Sequence, residues 1–474
     1  MSEIEVAAEA EESLHHPATN VPDAKYPNPF YAWYVVGVLV LAYVFSFLDR
    51  QILSLLVDPM KKDLHLTDTQ ISLLQGLAFA LFNTLAGLPI GRLVDTKRRM
   101  TIISIGVAFW SIMTACCGIA KSYGQLLIFR MGVGVGESTL TPSAYSVIAD
   151  YFPPRRLGLA LGIYGIGVYI GAGLAFVIGG LVIGALEKMG TTLTLPVVGN
   201  IFSWQAVFLV VGLPGLIIAL WTLTLREPRR MGFLRKKTGA DGIERTEELP
   251  LKEVFSYFLA NGRSFFGLNL CFAFAAMMAY GVSAWIPTFF IRTHGMTAAQ
   301  VGHSYGLIIV VFGTLGVISG GIMGDIMSSR FRNGRIMVMS SAGLLTLPFG
   351  IAYPLVSSPE LAMMLVAPAT FFATFTTGVG PSALQEMLPN QMRGMGTAIS
   401  VLMVNLIGLG LGPTAIAVFT DYVIKDEMLI RYSMAIVPAG CLLLSIVCGL
   451  TTLRPYLRSL DNLKAWSLRH ESGR

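Results

Sequence analysis

A chain of 474 residues with 54% hydrophobic and only 13% charged side chains is no ordinary soluble protein, in which about 25% of residues are charged. Its mean hydropathy is +0.65, and the apolar residues fall in runs of the roughly 20 residues a bilayer crossing needs. The net charge of +6 fits basic loops beside anionic lipid and calls for no nucleic acid.

Twelve spans are predicted in chain order: Ala32–Val57, Gln70–Val94, Met100–Ala120, Tyr123–Tyr151, Leu157–Leu186, Trp204–Leu225, Phe265–Arg292, Ala298–Gly324, Ile336–Val356, Glu360–Leu388, Arg393–Asp421 and Arg431–Leu453. With both termini cytoplasmic, the inner loops collect Lys97, Arg98, Arg99, Arg155, Arg156, Arg330, Arg332, Arg335 and Arg393. A long central loop adds nine more basic residues. The opposite loops hold only Lys61, Lys62, Lys121, Lys188, Arg292, Lys425 and Arg431, an asymmetry that sets this orientation. The expected divisions are a disordered cytoplasmic N-terminus at 1–29, a six-helix bundle at 30–225, and a cytoplasmic linker at 226–263. A second six-helix bundle at 264–455 and a cytoplasmic tail at 456–474 follow.

The acidic start (Glu3, Glu5, Glu9, Glu11, Glu12) is unlike a cleavable signal. The five cysteines lie inside predicted spans, as packed thiols rather than disulfides or metal ligands. No Asn-x-Ser/Thr sequon occurs, which favours a bacterial inner membrane. In the linker, Leu251, Val254, Phe255, Phe258 and Leu259 share one helical face, predicting an amphipathic helix on the membrane surface or on the cytoplasmic loops.

The two bundles echo each other. Gly91-Arg92-Leu93-Val94-Asp95 matches Gly321-Ile322-Met323-Gly324-Asp325, and Asp150…Pro153 matches Glu386…Pro389. Arg156 aligns with Arg393, and Ile170–Gly173 with Ile407–Gly410, at an offset of 237. Repeated halves with a site between them are the build of alternating-access carriers.

The pattern Gly91-x-Leu93-x-Asp95-x-x-x-Arg99 resembles the signature loop of the major facilitator superfamily, with Arg98 in place of the usual glycine. The resemblance covers about Ala32–Leu453 and implies two pseudo-symmetric six-helix bundles. Asp95 and Arg99 are close enough in sequence to pair. With Asp325, Asp150, Arg156, Glu386 and Arg393 they are the expected gate residues. Phe47-Leu48-Asp49-Arg50, the string from Arg130 to Glu137, Thr141-Pro142-Ser143-Ala144, Asp150-Tyr151-Phe152-Pro153 and Gly162-x-x-Gly165-x-Gly167 together look like the Spinster family. Its animal members move sphingosine phosphate and lysophospholipids, so the resemblance implies a lipid carrier.

The charges inside the spans mark the candidate site, because a charge at membrane depth is costly and is usually functional. Arg130 and Glu137 are seven residues apart, two turns on one face, roughly 10 Å along the axis. Asp49 lies at about the depth of Arg130. Asp49 and Arg50 point about 100° apart. Asp49 is therefore expected inward, and Arg50 toward the lipid interface or a neighbouring helix.

Asp49 and Glu137 are the expected proton carriers. Arg130, and next Arg50, is expected to hold an anionic headgroup. Phe371 and Phe375, with Phe372, are candidates for an acyl-chain wall. Asn269 and Asn405 are expected to bond between helices. One charged wall facing an apolar one suits an amphiphile carried with protons, with a carrier of small organic anions or drugs, or a non-transporting membrane receptor or scaffold, as the alternatives. No paired nucleophile and base, zinc spacing or cofactor loop occurs, so neither enzyme activity, cofactor nor metal is expected, and the chain is expected to act as a monomer.

Overall fold

The structure, a computed structural model, describes residues 26–190, 192–195, 199–230, 237–238, 244–245, 251–389 and 392–471. The N-terminal segment expected to be disordered lies, up to residue 25, outside them. Asn28 caps the first helix by accepting from Phe30 N–H at 2.9 Å, and Pro29 presets its first turn. The helices are α1 (Pro29–Leu55), α2 (Val57–Leu64), α3 (Asp68–Thr96), α4 (Arg99–Cys117), α5 (Tyr123–Glu137), α6 (Leu140–Tyr151), α7 (Pro154–Met189) and α8 (Ser203–Leu223). After the linker come α9 (Leu251–Ala260), α10 (Gly262–His294), α11 (Ala298–Arg330), α12 (Gly334–Leu355), α13 (Pro359–Glu386), α14 (Arg393–Ile424) and α15 (Ile430–Glu471).

Among the described residues, eleven helices are long and apolar enough to cross a membrane. The expected fourth span is instead two helices, α5 and α6, which meet at Ser138–Thr139. There Ser138 Oγ donates to the Val135 carbonyl at 2.6 Å and Thr139 Oγ1 to the Gly136 carbonyl at 2.8 Å. Pro142 has no N–H to continue the ladder, so the helix breaks there.

Two small antiparallel hairpins, β1 (Thr192–Leu195) with β2 (Gly199–Phe202) and β3 (Lys237–Thr238) with β4 (Glu244–Arg245), are additions to the all-α expectation. The expected tail from residue 456 is helical to Glu471. Its apolar residues recur at helical spacing, and Tyr456 is fully buried with its hydroxyl donating to Glu386 at 2.9 Å. The linker helix α9 divides its apolar face. Val254 and Phe258 are buried with Tyr257, which donates to the Met387 carbonyl, while Phe255 and Leu259 are exposed. All five cysteines are free thiols.

Both ends of the bundle pair meet the linker. Tyr31 of α1 accepts from Arg226 N–H, and Asn462 of α15 donates to Asn261. The first and last described helices therefore reach the linker face.

One apolar core is built from the first half together with Leu409 of α14, and one from the second half. A third joins them, running from Leu55, Met60 and Phe176 to Trp285, Phe289, Tyr305 and Met434. It lies on the far face. There α7 and α11 touch backbone to backbone: a Cβ at Gly302 would sit 2.4 Å from the Phe176 carbonyl, and one at Gly173 2.5 Å from the Gly306 carbonyl. Toward the linker, a Cβ at Gly87, Gly91, Gly158, Gly162 or Gly165 would meet nothing within 4 Å. The halves are closed on the far face and parted on the linker face.

Candidate functional site

The C-terminal half of α1 presents Ser46 and Arg50, one turn apart, to α5. Both hold the same atom. Ser46 Oγ and Arg50 Nε each donate to Glu137 Oε2 at 2.6 Å, and Arg50 Nη2 lies 2.5 Å from it. Glu137 is 3% exposed and its Oε1 has no hydrogen-bond partner among the described residues. The Arg50 guanidinium lies over the Phe79 ring at 4.4 Å and near the Phe47 ring at 5.3 Å, a cation–π cradle. Its side chain keeps 22% exposure, which decides which cation a ligand can reach.

Arg130 differs from its expected role. It is fully buried and donates from Nη1 to the carbonyl of Asp49, at 3.1 Å, and from Nε to that of Leu74, at 3.3 Å, while Nη2 has no hydrogen-bond partner among the described residues. Of its two expected destinations, the lipid interface and a neighbouring helix, Arg50 takes the helix and meets Glu137 of α5, while Arg130 joins α1 to α3. The depth match of Arg130 and Asp49 does appear, as a side chain touching a backbone. Adjacency in sequence fixed the 100° between Asp49 and Arg50. It could not show that the long Arg50 side chain reaches back to α5. Asp49 is buried, 2% exposed, with Oδ1 unpartnered among the described residues.

The expected aromatic wall is partly core. Phe371, Phe372 and Phe375 form one knot with centroids 5.0–5.7 Å apart, and Phe372 stacks on Phe349. Phe375 is buried where α13 crosses α11, its Cα 2.5 Å from where a Gly320 Cβ would be. Phe371 and Phe372 are half-buried. Asn269 bonds inside its own helix, to the Phe265 carbonyl at 2.8 Å, rather than between helices.

On the linker face, Arg99 does not take Asp95. It is buried and pairs with Asp150, with Glu227 at 2.8 Å, and with Ser146 and the Pro228 carbonyl. Asp95 is exposed, and its carbonyl accepts from Arg230, which caps the end of α3. The second half repeats the motif. Arg335 reaches Asp325 at 3.0 Å and Glu386 at 3.3 Å. Arg156 is exposed, and exposed Arg393 donates to the Gln385 carbonyl at 3.2 Å. Sequence reading missed Arg335 and Glu227, although Arg335 follows Arg99 at the same 236-residue spacing that separates Asp150 from Glu386.

The far face carries a charge cluster that the sequence did not assign. Lys61 pairs with Asp68 and with Glu427, each at 2.6 Å. Arg292 grips Asp68 with two donors, at 2.7 and 2.9 Å, and Asp58 at 2.8 Å. Thr69 donates through both N–H and Oγ1 to Asp421. Asp58, Lys61 and Asp68 belong to the first half; Arg292, Asp421 and Glu427 belong to the second. The one available signal was that Lys61 and Arg292 stood among the few cations of the sparsely charged loops.

Buried ion pairs in a two-bundle helical fold closed at one face are the build of a membrane transporter. The Major Facilitator Superfamily model matches residues 39–413, and the chain belongs to that family. It is Spinster-like within it. A bacterial homologue of the human lysosomal transporter Spinster, solved inward-facing and unoccupied, is 28% identical with a TM-score of 0.73, covering 92% of this chain and 98% of that one. An MFS-type efflux pump of Mycolicibacterium smegmatis is 25% identical over 84% of this chain and 87% of its own length. A hexuronate transporter of Bacillus subtilis is 23% identical over 82% and 87%. These relatives are transporters, in line with transport rather than catalysis.

Proposed function

We propose that this chain is a proton-coupled carrier of amphiphilic lipids with an anionic headgroup, working by alternating access in a bacterial inner membrane. In this reading α5 and α6 together make the twelfth crossing, and the linker face, rich in arginine, is cytoplasmic. The observation that carries the proposal is Arg50: a partly exposed guanidinium whose fork is occupied by one buried carboxylate. While Glu137 is ionised it competes with any anionic headgroup for that fork. A proton on Glu137 ends the competition, and the planar fork then matches a phosphate through two parallel bonds. Asp49, with its open oxygen, is the second proton carrier, and Arg130 keeps α1 in place while the charges change.

The far-face cluster is the latch of the closed gate. On the linker face, Arg99 with Asp150 and Arg335 with Glu386 stiffen each half. Asp95 and Arg156 stand exposed, available to the gate that closes when the halves rock, and exposed Asp325 and Arg393 can reach it by giving up their contacts to Arg335 and to the Gln385 carbonyl. The half-buried Phe272, Phe274, Met277 and Phe371 of the second half give a soft surface for a variable tail. Neither a cofactor nor a partner subunit enters this scheme.

A second reading, a carrier of small organic acids, is favoured by relatives named for hexuronates. Proteoliposome uptake separates the two. Lysophosphatidylglycerol should enter in a manner driven by a pH gradient and should be lost with Arg50→Ala. Uptake of glucuronate without lysolipid would replace the lipid reading with the organic-acid one. Losing one charge-assisted fork contact should cost about 1.5–3 kcal/mol, or roughly ten- to a hundredfold in affinity.

A further inference from the structure

The two halves are in register at an offset of 230 residues from α1 to the end of α3. The capping box of Thr67 and Gln70 at the start of α3 recurs as Thr297 and Gln300 at the start of α11. The left-handed residue His65 before α3 recurs as Gly295 before α11. At the same offset Asp95 matches Asp325 and, within α1 and α10, Arg50 matches Tyr280. The pseudo-two-fold axis therefore puts Tyr280 at the depth of Arg50 on the opposite wall.

The contacts agree. Tyr280 packs against the first half's core beside Tyr43 and lies within electrostatic range of both Arg50 and Tyr43. One turn further on the same face, Ser283 accepts from Gln51, the neighbour of Arg50, at 3.3 Å. That bond crosses between the halves. Tyr280 is half-buried, and its hydroxyl holds no hydrogen bond among the described residues.

We infer that Tyr280 is the second half's contact for the anionic headgroup, donating its phenolic hydroxyl to the oxyanion that Arg50 grips from the first half. The inference rests on the Arg50 reading above. It adds a consequence. A headgroup held from both walls binds most tightly when the walls approach, so the ligand favours the state with the linker face drawn together.

The test uses the full-length protein in detergent, with lysophosphatidylglycerol as probe and the monoacylglycerol of the same chain as its uncharged control. Tyr280→Phe removes only the oxygen. Affinity for lysophosphatidylglycerol should fall roughly tenfold or more, with monoacylglycerol affinity unchanged. Tyr280→His, which keeps a ring and a donor, should recover most of it. Distances between spin labels across the linker face should shorten on adding lysophosphatidylglycerol to wild type, and not to Tyr280→Phe.

Arg50→Ala separates the two layers. If it leaves lysophosphatidylglycerol binding intact, the Arg50 reading fails and takes this inference with it. If Arg50→Ala weakens binding while Tyr280→Phe does not, the assignment of Tyr280 alone is overturned. An equal loss for both probes in Tyr280→Phe also overturns it, since it would mark a packing role.

Discussion

Asp68→Asn should open the far face, and the structure sets the size of the effect. Asp68 is fully buried and accepts from Lys61 of its own half and, through two bonds, from Arg292 of the other. The Lys61 bond lies within the first half, where rocking need not break it, so its loss weighs on both states. The Arg292 fork exists only while the far face is closed. An amide keeps the shape and one acceptor but loses the charge, so the closed state alone gives up about 1.5–3 kcal/mol. At 1.4 kcal/mol per factor of ten, the ratio of closed to open should fall roughly ten- to a hundredfold. Arg292 retains Asp58, and Lys61–Glu427 with Thr69–Asp421 still cross the gap, so the latch is weakened rather than abolished. Spin labels on α2 and at the start of α15 would report the distance distribution across this face. A population indistinguishable from wild type would show that the cluster is a surface ion network of little worth, and the reasoning would be wrong.

Glu137→Gln should free Arg50 permanently, so lysophosphatidylglycerol affinity becomes high and flat with pH. Wild-type affinity should instead depend on pH; parallel binding measurements at two pH values check this. Arg99→Ala removes a buried cation from two carboxylates and should lower stability by about 3–5 kcal/mol. Arg335→Ala should cost only about 0–1 kcal/mol, because both of its partners are partly in solvent, Asp325 72% and Glu386 37% exposed; unfolding midpoints in detergent compare the pair. Gly302→Val forces a side chain against the Phe176 carbonyl, so it should drive the far face apart, seen as longer distances between labels on α7 and α11.

Hydropathy made the crossings legible, since a bilayer imposes length and apolarity on each helix regardless of its neighbours. The break at Ser138–Thr139 was masked because its small residues are apolar enough to continue a run. Pro142 was the visible warning. The extension of α15 was hidden by arginines that read as a polar tail while Tyr456 and Leu460 kept the buried stripe. That Asp49, Arg50, Arg130 and Glu137 belong to one cluster was legible, because charges at depth stand out one by one. Its pairing was not. Which arginine meets Glu137 depends on how α1 is rotated against α5, and no local pattern encodes a rotation between helices. The far-face latch was harder still. Thr69 and Asp421 are separated by 352 residues, and nothing in either neighbourhood announces the other.

The repeat clarifies what kind of asymmetry the site has. The arginine–acid pairs that brace the linker face occur twice, Arg99 with Asp150 and Arg335 with Glu386, at one offset of 236. Bracing is needed in each half, because each must rock as a rigid body. The charges of the site occur once. Where the first half has Asp49 and Arg50, the second has Ala279 and Tyr280; where the first has Arg130 and Glu137, the second has Val366 and Ala373. A buried charge is expensive in a bilayer, so a second set would add cost to every state. In the proposed scheme, with one set, protonation changes the energy of one wall only. The other wall stays neutral and responds through what the headgroup offers it. Coupling between proton and substrate then needs no mobile charge in the second half, only a donor such as the Tyr280 hydroxyl held at the depth of Arg50.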